Sequence, residues 1–113
     1  MSIKKIAARF YELPSGRMPV REWLLELSPE DRRSVGYDIQ TVEFGWPIGM
    51  PTCRPLGDGL YEVRCGLRGG RIGRVMFCIV NDEMVLLHAF EKKTQKTPPQ
   101  DLELARKRRK EIM

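Results

Sequence analysis

Glu62, Arg64 and Arg74 are charged residues set inside apolar, β-favouring runs, and the one histidine, His88, stands in a third such run that ends in Lys92 and Lys93. Guanidinium groups at strand positions need anionic partners. A histidine or carboxylate can move a proton, and Arg/Lys donors can hold the charge that develops on a phosphorane. Other chemistries are excluded by the same residues. One histidine and three cysteines at long spacings (Cys53, Cys65, Cys78) offer neither a zinc ligand set nor a disulfide framework. A serine or cysteine nucleophile has no base beyond His88. No glycine opens a helix after a strand, so no nucleotide-binding loop is present, and neither a metal nor a small-molecule cofactor is expected. Cleavage of RNA at its own 2′-hydroxyl fits what remains, because the substrate supplies the nucleophile. Plainer roles stand beside these: His88 as a hydrogen-bonded core residue, Glu62 as a partner for one arginine, the lysines as a solvated strand tip.

These residues need a sheet to bring them together. Three strand-like runs, 60–65, 72–80 and 84–90, are separated by G-L-R-G-G and by Asn81-Asp82, which predicts a meander of two hairpins. If Arg68, Gly69 and Gly70 form a three-residue turn, Arg64 lies across from Arg74, on the face where Glu62 and Met76 also point. Opposed like charges destabilise a ladder, so this pair needs Glu62 or a bound anion. The last hairpin decides where His88 and Lys92 go. A loop of Asn81, Asp82 and Glu83 puts them on the arginine face; a two-residue loop points them away.

Upstream, residues 3–11 alternate as a first strand. Val20, Trp23, Leu24 and Leu27 fall at i, i+3, i+4 and i+7 behind Pro19, an amphipathic helix. Ser28, Pro29 and Asp31 begin a second helix with the stripe Val35, Ile39 and Val42, ended by Gly45 and Pro47. The two predict a helical hairpin that covers the sheet. Residues 46–59 read as a Pro/Gly-rich loop with a short strand near Arg54 to Leu56. Thr97-Pro98-Pro99-Gln100 has the form of a capping box, and the helix it opens carries a thin stripe of Leu102, Ala105 and Ile112, predicting a surface helix with its basic side exposed. The fold class is α+β in a single domain over residues 1–113: an antiparallel sheet, an N-terminal helical hairpin and a basic C-terminal helix.

The net charge of +5 is confined to one end. Residues 92–113 hold eight Lys/Arg against three acids, and residues 1–91 balance twelve against twelve. Lys92, Lys93 and Lys96 lead into Arg106, Lys107, Arg108, Arg109 and Lys110, the electrostatic footprint of a nucleic-acid binder, with a solvated tail or an acidic partner as the alternative. No stretch has the length of a signal peptide's apolar region or of a membrane span, so the expected location is the cytoplasm, with reduced thiols.

L-Y-E-V-R at 60–64, R-V-M-F-C-I at 74–79, L-L-H-A-F-E-K-K-T-Q-K-T-P-P at 86–99 and the helical W-L-L-E-L-S-P-E-D together resemble the HigB-type, phage-derived branch of the RelE/ParE toxin superfamily, over nearly the whole chain. The F-x-K-K-T-x-K-T-P segment is the specific part. The resemblance implies a RelE-like fold and a toxin that cuts messenger RNA on the ribosome until a cognate helix-turn-helix antitoxin blocks it. Arg64 and Arg74 would then stabilise the scissile phosphate, with His88 or Glu62 as acid or base. Lys92 and Lys93 would contact RNA, with Lys96, Arg106, Lys107 and Arg109 extending the basic surface. ParE-type members of the superfamily instead poison DNA gyrase, and a chain with only the basic surface would be an RNA- or ribosome-binding module. A binder tolerates loss of Arg64, Arg74 and His88; a nuclease does not.

Overall fold

The computed structural model describes residues 3–92 and 96–112. In chain order the elements are β1 (Ala7–Phe10), α1 (Pro19–Glu26), α2 (Pro29–Gly45), β2 (Cys53–Gly57), β3 (Leu60–Gly66), β4 (Ile72–Val80), β5 (Glu83–Lys92) and α3 (Pro99–Ile112). The fold is α+β, and its five strands form one mixed sheet in the order β1-β5-β4-β3-β2. It is not wholly antiparallel as expected, since β1 pairs parallel with β5, Ala8 opposite Met84 and Phe10 opposite Leu86. The chain leaves one edge of the sheet at β1 and re-enters at the other edge at β2. Between them, α1 and α2 cross one face, α1 lying mainly against β5 and α2 against β3.

Local chemistry fixes both helices. The Ser28 hydroxyl accepts from the Asp31 N–H at 3.1 Å, capping α2, while Arg32 donates to the carbonyls of Leu24, Leu25 and Leu27 at 3.0 to 3.1 Å and closes the end of α1. Their apolar stripes, Val20 with Trp23 and Leu24, and Val35 with Ile39 and Val42, pack on Val63, Cys65, Val75, Phe77, Met84 and Leu86. Each such side chain contributes about 1.5–3 kcal/mol through burial. Gly73 on β4 lets the Trp23 ring approach, because a Cβ there would meet Cη2 at 3.1 Å. No helix among the described residues is long and apolar enough to cross a membrane.

The other face is covered by α3, more deeply than its thin stripe suggests. Leu102, Ala105 and Ile112 pack over Tyr11, Leu60, Met76, Cys78, Val85 and Leu87. Arg108, expected on the basic outer side, instead turns inward. It donates to the Leu87 carbonyl at 2.8 Å and lies 5.5 Å from the centroid of the Tyr11 ring, whose hydroxyl donates to Glu111. Burial lowers the Arg108 pKa from the ordinary guanidinium value, opposed by Tyr11 and Glu111. The helix begins at Pro99 and not at Thr97.

The last hairpin combines the two registers left open above. Asn81 and Asp82 take positive φ, 50° and 62°, and form a two-residue turn with Val80 opposite Glu83. Alone, that turn would point His88 and Lys92 to the α1/α2 side. A bulge intervenes: Phe77 pairs with Leu86 but Met76 with His88, leaving Leu87 as the extra residue. Beyond it His88, Phe90 and Lys92 share the face of Met76 and Arg74. The carbonyl of that extra residue is the one that Arg108 holds.

Candidate functional site

The G-L-R-G-G turn sets the register that the site depends on. Leu67 N–H donates to the Arg71 carbonyl at 2.9 Å across residues 68–70, and Arg64 stands opposite Arg74, as the three-residue turn predicts. One row further along, Arg54 on β2 faces Glu62 on β3, which faces Met76 and then His88. The end of the sheet that α3 leaves open is therefore lined with charge. Arg54, Glu62, Arg64, Arg74 and Lys92, with Met50 and Pro51 at the rim, line a cavity of about 180 Å³.

Glu62 organises the floor. Its carboxylate is fully buried, with Oε1 3.1 Å from Arg54 Nη2 and 3.3 Å from Arg74 Nη1. Thr97 donates its hydroxyl to Oε2 at 3.0 Å and accepts from Arg54 at 3.0 Å. These contacts make Glu62 the shared counter-ion of Arg54 and Arg74. Arg64 and Lys92, in contrast, have no anionic partner among the described residues. The Nε atoms of Arg54 and Arg74 are buried and unbonded among those residues. Burial lowers the Arg74 pKa, Glu62 opposes, and Arg64 and Arg54 lower it further. Lys92 is lowered by burial first and by Arg74 next, against the pull of Glu62. Four cations facing one committed carboxylate make a receptor for an anion.

Residues 22–110 match the family described as Phage derived protein Gp49-like (DUF891). The chain belongs to this Gp49-like family. The match runs from α1 through most of α3 and contains every residue of the cavity. Comparison with curated proteins finds no match.

Other sequence-predicted residues of this Gp49-like chain fall elsewhere. His88 is not in the cavity. It shares the sheet face but lies two strands from Glu62, about 10 Å away, with Nε2 2.6 Å from Asp101 Oδ1 of α3 and its ring stacked on Phe90. Glu62 holds Arg54 and Arg74, and no bond to Arg64 is seen among the described residues. Arg106 and Arg109 border a separate cleft with Asp58 and Lys110; Lys107 and Lys96 are exposed. Lys93 lies outside the described residues. Arg54 and Thr97 were not foreseen as site residues. Arg54 comes to lie across from Glu62 through a two-residue Asp58-Gly59 turn, with Gly57 opposite Leu60, and one extra residue between Pro55 and Gly57, an irregularity the sequence does not announce. Thr97 offered no signal either, because its hydroxyl serves Glu62 from 35 residues away in place of the helix cap its sequence resembles.

Proposed function

We propose that this Gp49-like protein is the toxin of a toxin-antitoxin pair, a HigB-type, RelE-like endoribonuclease that cuts messenger RNA on the ribosome without a metal. The observation that carries the reading is the open cavity in which Arg64 and Lys92 have no anionic partner among the described residues, beside the Glu62-held Arg74 and Arg54. Membership of a phage-derived family is compatible with it. The scissile phosphate enters the cavity, its non-bridging oxygens taken by Arg74 and Arg64, and the RNA 2′-oxygen attacks phosphorus in line. The bond to the 5′-oxygen breaks as the 2′–phosphorus bond forms, leaving a 2′,3′-cyclic phosphate and a 5′-hydroxyl. Preorganised guanidiniums stabilise the extra negative charge of that phosphorane more than the ground state, which is the catalytic effect. Lys92, whose pKa burial lowers, gives up a proton to the departing 5′-oxygen, and the 2′ proton passes to water. His88 acts as a positioning residue that fastens α3 to β5 through Asp101. A cognate antitoxin would silence the protein by covering the cavity.

Translation of a defined messenger in a cell-free system, with RNA ends mapped by primer extension, tests this. Wild-type protein should create new ends inside translated codons, and Arg74→Ala or omission of ribosomes should abolish them. Intact messenger in the presence of folded wild-type protein would sink the nuclease reading, and supercoiling by DNA gyrase would be assayed next.

A further inference from the structure

A second cationic cleft lies outside the cavity, between the β2–β3 turn and the outer half of α3. Arg106, Arg109 and Lys110, at i, i+3 and i+4 on one face of the helix, border it with Asp58. The Arg106 Nε is buried and makes no hydrogen bond among the described residues, although Asp58 Oδ2 is 3.4 Å away. Arg109 lies over Gly59, where a Cβ would come within 2.8 Å of its Nη2, so the glycine is what admits the guanidinium. Asp58, 70% exposed and at positive φ (54°), is the single acid among three cations, and an incoming anion would displace it from Arg106. Both clefts open on the face of the sheet that carries α3, joined by β2. Arg54 on β2 and Asp58 in the turn that follows it are four residues apart, a reach of at most about 13 Å along the chain.

We infer that this cleft is a second phosphate site, taking the backbone of a single-stranded RNA whose scissile phosphate sits in the Arg64/Arg74 cavity; this rests on the RNA-cleaving reading above. At about 3.4 Å per nucleotide along a stacked strand, 13 Å spans about four nucleotides, so an RNA of five or more engages both sites and a dinucleotide only the first. Asp58 acts as an internal competitor that weakens the second site.

The test is fluorescence anisotropy with labelled 2′-O-methyl RNA, which cannot be cleaved, as a dinucleotide and as an octamer across a series of salt concentrations. Losing one phosphate contact on a single strand lowers the slope of log K against log salt by about 0.7, roughly five-fold in affinity at 0.1 M. Arg106→Gln/Lys110→Gln should lose that much for the octamer and nothing for the dinucleotide. Asp58→Asn, which keeps the positive-φ turn, should bind the octamer more tightly. If Arg64→Ala weakens the octamer while the double variant matches wild type in affinity and slope, the second site falls and the cavity stands. Weaker binding by Asp58→Asn would also overturn the second site. Failure of wild type to bind the octamer would overturn the second site, while the ribosome-dependent cleavage reading stands or falls on the translation assay.

Discussion

Glu62→Gln separates a structural counter-ion from a catalytic base. Glutamine keeps the volume and still accepts from Thr97, but leaves Arg54 and Arg74 facing a neutral amide where each had a carboxylate oxygen at 3.1 and 3.3 Å. Removing one partner of a buried pair costs about 3–5 kcal/mol, because the remaining charge is stranded away from water. Arg74 has 13% of its side-chain surface exposed and carries that cost; Arg54, at 36%, can rehydrate and adds little. The expected loss is therefore about 3–5 kcal/mol. For 113 residues the unfolding entropy near 60 °C is about 240 cal/mol/K, so the midpoint should fall by about 12–20 °C in a circular-dichroism melt. Arg74→Met placed on Glu62→Gln should recover part of the loss, since it removes the stranded cation. A midpoint within about 3 °C of wild type, together with abolished cleavage, would refute the counter-ion argument and make Glu62 the base.

Arg64→Ala should leave the melting midpoint within about 2 °C, since its side chain has no bonded partner among the described residues, yet lower cleavage by 10²-fold or more if it stabilises the phosphorane; equal activity in a single-turnover assay would count against that role. Asp31, whose pKa is lowered by the Arg68 N–H and then by Arg71, gives stability that is present above its ordinary value and is lost as pH falls through the depressed one. Urea midpoints at pH 7 and pH 3 should therefore lie further apart for wild type than for Asp31→Asn, and equal gaps would contradict the linkage. Burial pushes the Cys53 thiol up to about 11 and raises those of Cys65 and Cys78. All three should resist a thiol-specific disulfide reagent at pH 8 until the chain unfolds; rapid labelling of folded protein would refute their burial.

Much of this architecture is legible in the sequence because it is locally encoded. The stripes of α1 and α2 repeat at helical spacing, and the 68–70 turn sets Arg64 against Arg74 with no tertiary information. The parallel pairing of β1 with β5 is not legible, because alternation reports which residues share a face and not which way the strand runs. The short strand expected near Arg54 to Leu56 is present as β2, but the Pro/Gly-rich composition around it does not show that Arg54 meets Glu62 across the turn. The inward course of Arg108 escapes for another reason. Its place in a run of five basic residues suggests solvent, whereas its aliphatic stem and donors satisfy the Tyr11 ring and one unpaired carbonyl.

That carbonyl connects the scaffold to the site. Without the extra residue at Leu87, the Asn81-Asp82 turn would send Lys92 to the α1/α2 side of the sheet, away from Arg74 and Glu62. With it, Lys92 reaches the arginine face, His88 meets Asp101, and the bulged carbonyl receives Arg108 in place of a strand partner. Bulge and helix thus support one another: α3 satisfies the irregular residue, and the irregular residue gives α3 two polar anchors that its thin apolar stripe could not supply. The same helix stops short of Arg64 and Arg74. Had its stripe been broad enough to cover that end as well, the guanidiniums would need protein anions, and the cavity that Arg64 and Arg74 line would be closed.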